Sequence, residues 1–330
     1  MQINYTYSRK SLVGWLGEHR SEYMLVILIG IAFAAAPLFT EFFLTYDNLF
    51  NLSRQGAYLG MVSIGMALVL IIGGIDLSIG AVMQLVGLCT VLLLGAGVSA
   101  GVAFIVAMLI GVGLGAINGV LTVYGKMQPF IATLATGGIM TGLVMTYTKG
   151  NAIAPRGIDP AFKLIGGGSI AGLPIPAIAM FLVFVLFWWL MTFTTYGKNV
   201  YATGANKNAA RNVGINVKWI ECSVYIVSGA LAALAGYLTF ARIGTFQPAT
   251  AATGGTPVEV VIMAIASVVL GGGSLVGGKG TILGAAMGAM VSAVMLNLLI
   301  LLGMGIWFQR FILAIIIVVV VVLSNRSERR

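Results

Sequence analysis

Residues 56–80 read GAYLGMVSIGMALVLIIGGIDLSIG, and the first seventeen of them carry no charge. That run approaches the ~20 predominantly apolar residues with which an α-helix crosses a bilayer, keeping every backbone N–H and C=O bonded inside the segment. It ends at two glycines and an acid. Gly73 and Gly74 permit the positive φ of a helix break, and Asp76 is placed to cap the next helix by accepting its free N–H groups. A carboxylate at membrane depth is costly to bury, so Asp76, with Gly74 and Ser78 beside it, is a candidate functional residue. A simple cap in a tight interhelical turn is the competing reading.

The same grammar recurs along the chain. Of its 330 residues 8% are charged and 59% hydrophobic, with a mean hydropathy of +1.04, where a soluble protein carries about 25% charged residues. Apolar runs separated by polar punctuation lie near residues 23–39, 56–72, 78–96, 100–124, 130–148, 175–194, 221–241, 257–271, 280–302 and 306–323. The expected fold is therefore an all-α polytopic membrane protein of about ten transmembrane helices. A segment 1–22 precedes one membrane domain over 23–323, and a tail 324–330 follows it. The longest loops, 149–174 and 195–220, fall short of the roughly 50 residues of a small soluble domain.

Basic residues orient these runs. With the Arg9, Lys10 and Arg20 flank of the first helix in the cytoplasm, that side also receives Lys126, Lys198, Lys207, Arg211, Lys218, Lys279, Arg326, Arg329 and Arg330. Arg54, Lys149, Arg156, Lys163, Arg242 and Arg310 fall opposite, a 12 to 6 division that matches the positive-inside rule and places both termini in the cytoplasm.

Several chemistries lack the residues they need. The net charge of +9 is spread over loops instead of one basic domain, which argues against nucleic acid. His19 is the single histidine, and Cys89 and Cys222 sit in distant apolar runs, so neither a zinc site nor a disulfide is expected. An intramembrane enzyme would need a base beside its nucleophile. An ion-coupled carrier, the alternative transporter class, would have only Asp76 and Glu259 as clear relay candidates. Gly273 to Lys279 spells G-x-x-x-x-G-K, but Gly280 stands where a phosphate loop needs Ser or Thr, and membrane runs flank it where a strand should precede. ATP binding by this chain is not expected.

Three further features carry local information. In the loop 195–217, Asn206 is a plausible N-cap for a two-turn basic helix over 207–213, with Gly214 as its C′ residue. By composition that helix reads as an interfacial segment against anionic lipid. Gly111, Gly115 and Gly119 give one helix a small-residue face, with Asn118 beside it as an interhelical hydrogen bonder. Ala67 to Ala81 and Ala266 to Gly280 echo each other, as broken helices do in repeat-built transporters.

Taken together, Tyr46 to Leu52, Ser63 to Met66 leading into Gly74 to Gly80, Pro129 to Leu134, Gly204 to Val217, Gln247-Pro248 and Gly272 to Gly280 resemble, in order, the permease family of bacterial ABC importers for ribose and related simple sugars. The resemblance runs from about residue 37 to the end. It implies a subunit of the bacterial inner membrane that pairs with a second permease, two cytoplasmic ATPase subunits that bind the ATP and magnesium, and a periplasmic sugar-binding protein. It also implies that the basic helix docks the ATPase instead of lipid, which assigns coupling to Gly204, Ala205, Asn206, Ala209, Ala210, Arg211, Gly214 and Ile215. Gly74, Asp76, Ser78, Asn118, Gln247 and Glu259 are the pathway or gating candidates. One departure stands out: where the family carries Glu-Leu-Asp-Ala-Ile, this chain has Val261, Ile262, Met263, Ala264 and Ile265. That implies either a solute less polar than ribose or a partner permease that supplies the acids.

Overall fold

The computed structural model describes residues 20–155, 160–248, 256–312 and 314–315. His19, Arg9, Lys10, Arg156, the tail 324–330 and half of the run 306–323 lie outside the described residues. The helices are α1 (Arg20–Ala35), α2 (Tyr46–Ile71), α3 (Ile79–Gly95), α4 (Ala100–Val123), α5 (Pro129–Thr148), α6 (Pro160–Gly167), α7 (Ile175–Phe193), α8 (Thr195–Ala205), α9 (Lys207–Asn212), α10 (Val217–Ile243), α11 (Pro257–Leu270) and α12 (Ile282–Leu301). A two-stranded hairpin, Ser169–Ile170 with Leu173–Pro174, is the only sheet among the described residues.

Six of these helices, α2, α4, α5, α7, α10 and α12, are long and apolar enough to cross a membrane, and three shorter apolar helices accompany them. The protein is an all-α membrane protein. In α2 and α10, 89% and 78% of the most apolar window is buried, against 17% in α7, so α2 and α10 form the centre and α7 belongs to the rim. α2 packs on α7, α10, α11 and α12, and α10 packs on α2, α3, α4 and α6.

The small-residue face of α4 does what its spacing suggests. A Cβ on Gly111 would strike Gly229 and Ala233, one on Gly115 would strike the Tyr225 carbonyl, and one on Gly119 would press on Cys222. The α4 and α10 backbones therefore touch directly, the close approach by which helices associate where no hydrophobic drive separates protein from lipid.

The polar connections gather at two ends. At one, Gly73 meets Gly277, Gly204 meets Ile71, and Lys218 lies 5.4 Å over the Tyr124 ring. At the other, Ile153 bridges Phe246, Tyr46 donates to the Gly172 carbonyl, Tyr237 to that of Ala100, and Arg54 to that of Gly167.

Some expectations need correction. The loop 195–217 is mostly helix, because Thr195 to Ala205 forms α8 before the short α9 begins. Its Gly197 and Gly204 disguise it: glycine weakens a helix by about 1 kcal/mol, yet both are helical here, and neighbouring backbone leaves no room at either for a Cβ. The loop 149–174 likewise holds α6 and the hairpin. α2 begins at Tyr46, ten residues before its apolar run, since a helix continues through polar residues that reach the interface.

Candidate functional site

α2 ends at Ile71, and Gly73 turns the chain back with φ of +77° while Gly74 N donates to the Val69 carbonyl. The carbonyls a helix end leaves free are met this way, and the left-handed φ suits glycine. The chain then re-enters the bundle. Asp76 Oδ1 accepts from Ser78 N at 2.9 Å and from Ser78 Oγ at 2.6 Å, and Oδ2 accepts from Ser228 Oγ at 2.9 Å. The N-cap of α3 is Ser78, with no side-chain cap bond, so Asp76 closes a turn over Ser78 and does not cap α3 as the sequence suggested.

The network extends outward. Asn118 of α4 donates to Ser78 Oγ at 2.8 Å and accepts from Thr136 of α5 at 2.7 Å. Thr133, one turn earlier on α5, accepts from Leu77 N at 3.0 Å. Asp76, Ser78, Asn118, Thr133 and Ser228 are each at most 1% exposed. Ser228 lies roughly 16 Å along α10 from Val217 and roughly 22 Å from Ile243, taking about 1.5 Å of rise per residue. The carboxylate therefore sits well inside the bundle. Among the described residues no cation pairs with it, and hydroxyl and amide donors alone compensate its burial.

Asp76, Ser78 and Asn118 are thus brought together, and Gly74 adjoins them, since a Cβ there would strike the Tyr225 hydroxyl. Gln247 and Glu259 are not part of this network. Gln247 is exposed on the segment after α10, while its neighbour Pro248 accepts from the buried Gln84 amide. Glu259 forms a capping box with Thr256 at the start of α11 and pairs with Arg310 at 2.6 Å. Thr133, Thr136, Ser228 and Gln84 were missed. Their only signal is a polar side chain inside an otherwise apolar run, which Ser and Thr give too often to single out a few.

α9 has the cap its sequence announces. Asn206 Oδ1 accepts from Asn208 N and Ala209 N, both at 3.0 Å, and Gly214 follows with φ of +87°. Ala205, Asn206, Ala209, Arg211 and Gly214 are exposed, Gly204 and Ile215 are half-buried, and Ala210 is buried. Val213, just past α9, is 77% exposed, an apolar side chain offered to solvent. Lys207 pairs with Glu221 of α10.

The positions of the missing family acids are packing sites here. Val261 is 2% and Met263 6% exposed, Val261 in the main apolar cluster and Met263 against Leu59 and Ala289.

Comparison with known proteins extends over the whole bundle. The family described as branched-chain amino acid transport system / permease component matches residues 48–321. Ribose import permease protein RbsC of Escherichia coli (strain K12) is 38% identical over 95% of each chain. The Bacillus subtilis (strain 168) protein of the same name is 39% identical over 95% of this chain and 93% of its own. D-allose transport system permease protein AlsC of E. coli (strain K12) is 34% identical over 92% of this chain and 90% of its own. No solved structure matches. With its apolar helices, its capped basic helix and full-length similarity of this kind, the chain belongs to the ABC transporter permease family that includes the ribose import permeases.

Proposed function

We propose that this chain is the membrane-spanning subunit of an ATP-driven importer for a simple sugar. It crosses the bacterial inner membrane ten times, with both termini and α9 in the cytoplasm. The observation that carries the reading is the 38–39% identity, over 95% of this chain, to import permeases for ribose, and the exposed, capped α9 supports it. The pathway forms between this subunit and a second permease, a periplasmic binding protein delivers the sugar, and ATP with magnesium is bound and hydrolysed on separate ATPase subunits. This chain holds no cofactor. ATP binding favours one of two states of the bundle through its different affinity for them, and α9 carries that difference into the membrane.

A second substrate class has a specific observation behind it, because the matching family is described by branched-chain amino acids. The experiment has two arms. The chain is tagged at its C-terminus, purified gently from native membranes, and its companions are identified by mass spectrometry; uptake of labelled ribose and of labelled leucine is then compared in proteoliposomes. An ATPase subunit that is lost on a combined Ala205→Glu and Arg211→Glu change supports the reading, and ribose uptake fixes the class. Purification alone with uptake that needs no ATP would replace it with an ion-coupled carrier.

A further inference from the structure

The end of the bundle that carries α9 contains a joint between α8 and two turns. Resting on the importer reading, we propose that Tyr201 and Gly204 of α8 clamp the turn after α2 to the turn after α11, and are the positioning residues through which a load on α9 reaches Asp76.

The Ile71 carbonyl is one of those that the end of α2 leaves without an intrahelical partner. Gly278 N donates to it at 2.8 Å, from the other turn. Gly204 lies on that same carbonyl so closely that a Cβ would collide with it. A Cβ on Gly277 would stand 3.0 Å from Gly73 Cα and 3.3 Å from the Gly204 carbonyl, and one on Gly278 would stand 3.2 Å from Ala205 Cα. Tyr201, one turn back on α8, donates its hydroxyl to the Gly280 carbonyl at 2.8 Å. A single helix thus holds both turns, and glycine at each contact lets backbone press on backbone.

Both ends of the joint are firm. Asn206 alone separates α8 from α9 and caps α9 with its side chain, while Lys207 ties α9 to α10 through Glu221. On the membrane side the clamped turn runs straight into Asp76, which α10 holds through Ser228. Close-packed contacts of this kind shift between discrete arrangements and do not stretch. The Thr203 hydroxyl, fully buried in α8, has no hydrogen-bond partner among the described residues. A buried orphan of this type asks for an explanation, and a second arrangement in which it is paired supplies one.

The test uses the whole complex in proteoliposomes and reads ATP hydrolysed per solute imported. Tyr201→Phe removes one hydrogen bond, a change of about 3- to 10-fold in an equilibrium. It is expected to raise the ratio by about that factor while the ATPase still co-purifies and the melting temperature stays near wild type. Gly204→Ala, forced off the Ile71 carbonyl, raises it further. Ala205→Cys with Gly278→Cys places side chains 3.6 Å apart at Cβ, within disulfide reach. Because α8 and the turn move together, the oxidised complex is expected to import within about twofold of its reduced control. A wild-type ratio in Tyr201→Phe, or an oxidised complex that hydrolyses ATP but no longer imports, overturns the joint while leaving the importer reading intact. Wild-type import without any ATPase overturns the importer reading itself.

Discussion

The chain leaves α2 and α11 in the same way and then does opposite things. In the first turn Gly73 has φ of +77° and Gly74 N donates to the Val69 carbonyl; in the second Gly272 has φ of +83° and Gly273 N donates to that of Val268. These are matching positions of the echo between Ala67 to Ala81 and Ala266 to Gly280, so the likeness is one of geometry as well as letters. Beyond the glycines the two diverge. The first turn places Asp76 where the second has Leu275, and its polar groups are met by α4, α5 and α10. The second bonds to itself, Ser274 N to the Lys279 carbonyl and Val276 N to Ser274 Oγ. One turn is anchored in the bundle, while the other is closed on itself and reaches the rest through the joint at Gly204. The proposed coupling would use that pairing, with the joint as the place where a load enters and the Asp76 network as the place of grip.

The largest effect is expected from removing the grip. Asp76→Ala leaves Ser78 N buried without its acceptor and strands the hydroxyls of Ser78 and Ser228, a loss of about 2–4 kcal/mol. Asp76→Asn keeps an acceptor and should cost about half as much. Thermal unfolding in detergent measures both, and transport should fail in the alanine variant. Placing a carboxylate at the matching position of the other turn, Leu275→Asp, should not create a second grip. Leu275 is half-buried against the main apolar cluster, and no trio of donors waits there. The change should cost about 2 kcal/mol through lost apolar burial. A neutral or stabilising result would show that the two turns are interchangeable and would break the comparison.

The contrast between the turns also separates what the sequence disclosed from what it concealed. The apolar runs disclosed the membrane class because every spanning segment must satisfy its own backbone. Asn206 disclosed α9 and Gly111, Gly115 and Gly119 disclosed a packing face, because caps and small-residue faces act within one helix. Asp76 was legible as an acid in an apolar run, but its partners were not. Ser228 follows it by 152 positions, and nothing local distinguishes it from any other serine on a membrane helix. Tyr201 and the contact made by Gly204 were hidden for the same reason, since they depend on Gly280 and Ile71. Family likeness named Gly204 among the coupling residues, and the structure adds its contact, the Ile71 carbonyl at the end of α2.

The likeness of the two turns is sharpened by a matched pair of changes. Gly73→Ala and Gly272→Ala each force a side chain into a left-handed φ, which costs an L-residue about 1–2 kcal/mol. If the turns are true counterparts, the two losses of stability should agree within about 0.5 kcal/mol, the usual error of additive comparison. Their effects on transport should differ, because Gly73 leads into the Asp76 network and Gly272 does not.

The smallest effect comes from a single hydroxyl in each turn's surroundings. Ser228→Ala deletes the donor to Asp76 Oδ2 and should cost about 1 kcal/mol. Ser274 is itself only 4% exposed, so Ser274→Ala, which leaves Val276 N without its acceptor, should likewise cost about 1 kcal/mol. The informative quantity is coupling: in a double-mutant cycle, Ser228→Ala and Asp76→Asn should interact by at least about 0.5 kcal/mol, as contacting partners in one network do. Ser274→Ala and Asp76→Asn should add simply, because the self-bonded turn shares no hydrogen bond with the carboxylate. A cycle in which Ser274 couples and Ser228 does not would place the grip in the wrong turn and reverse the assignment of which one anchors the bundle.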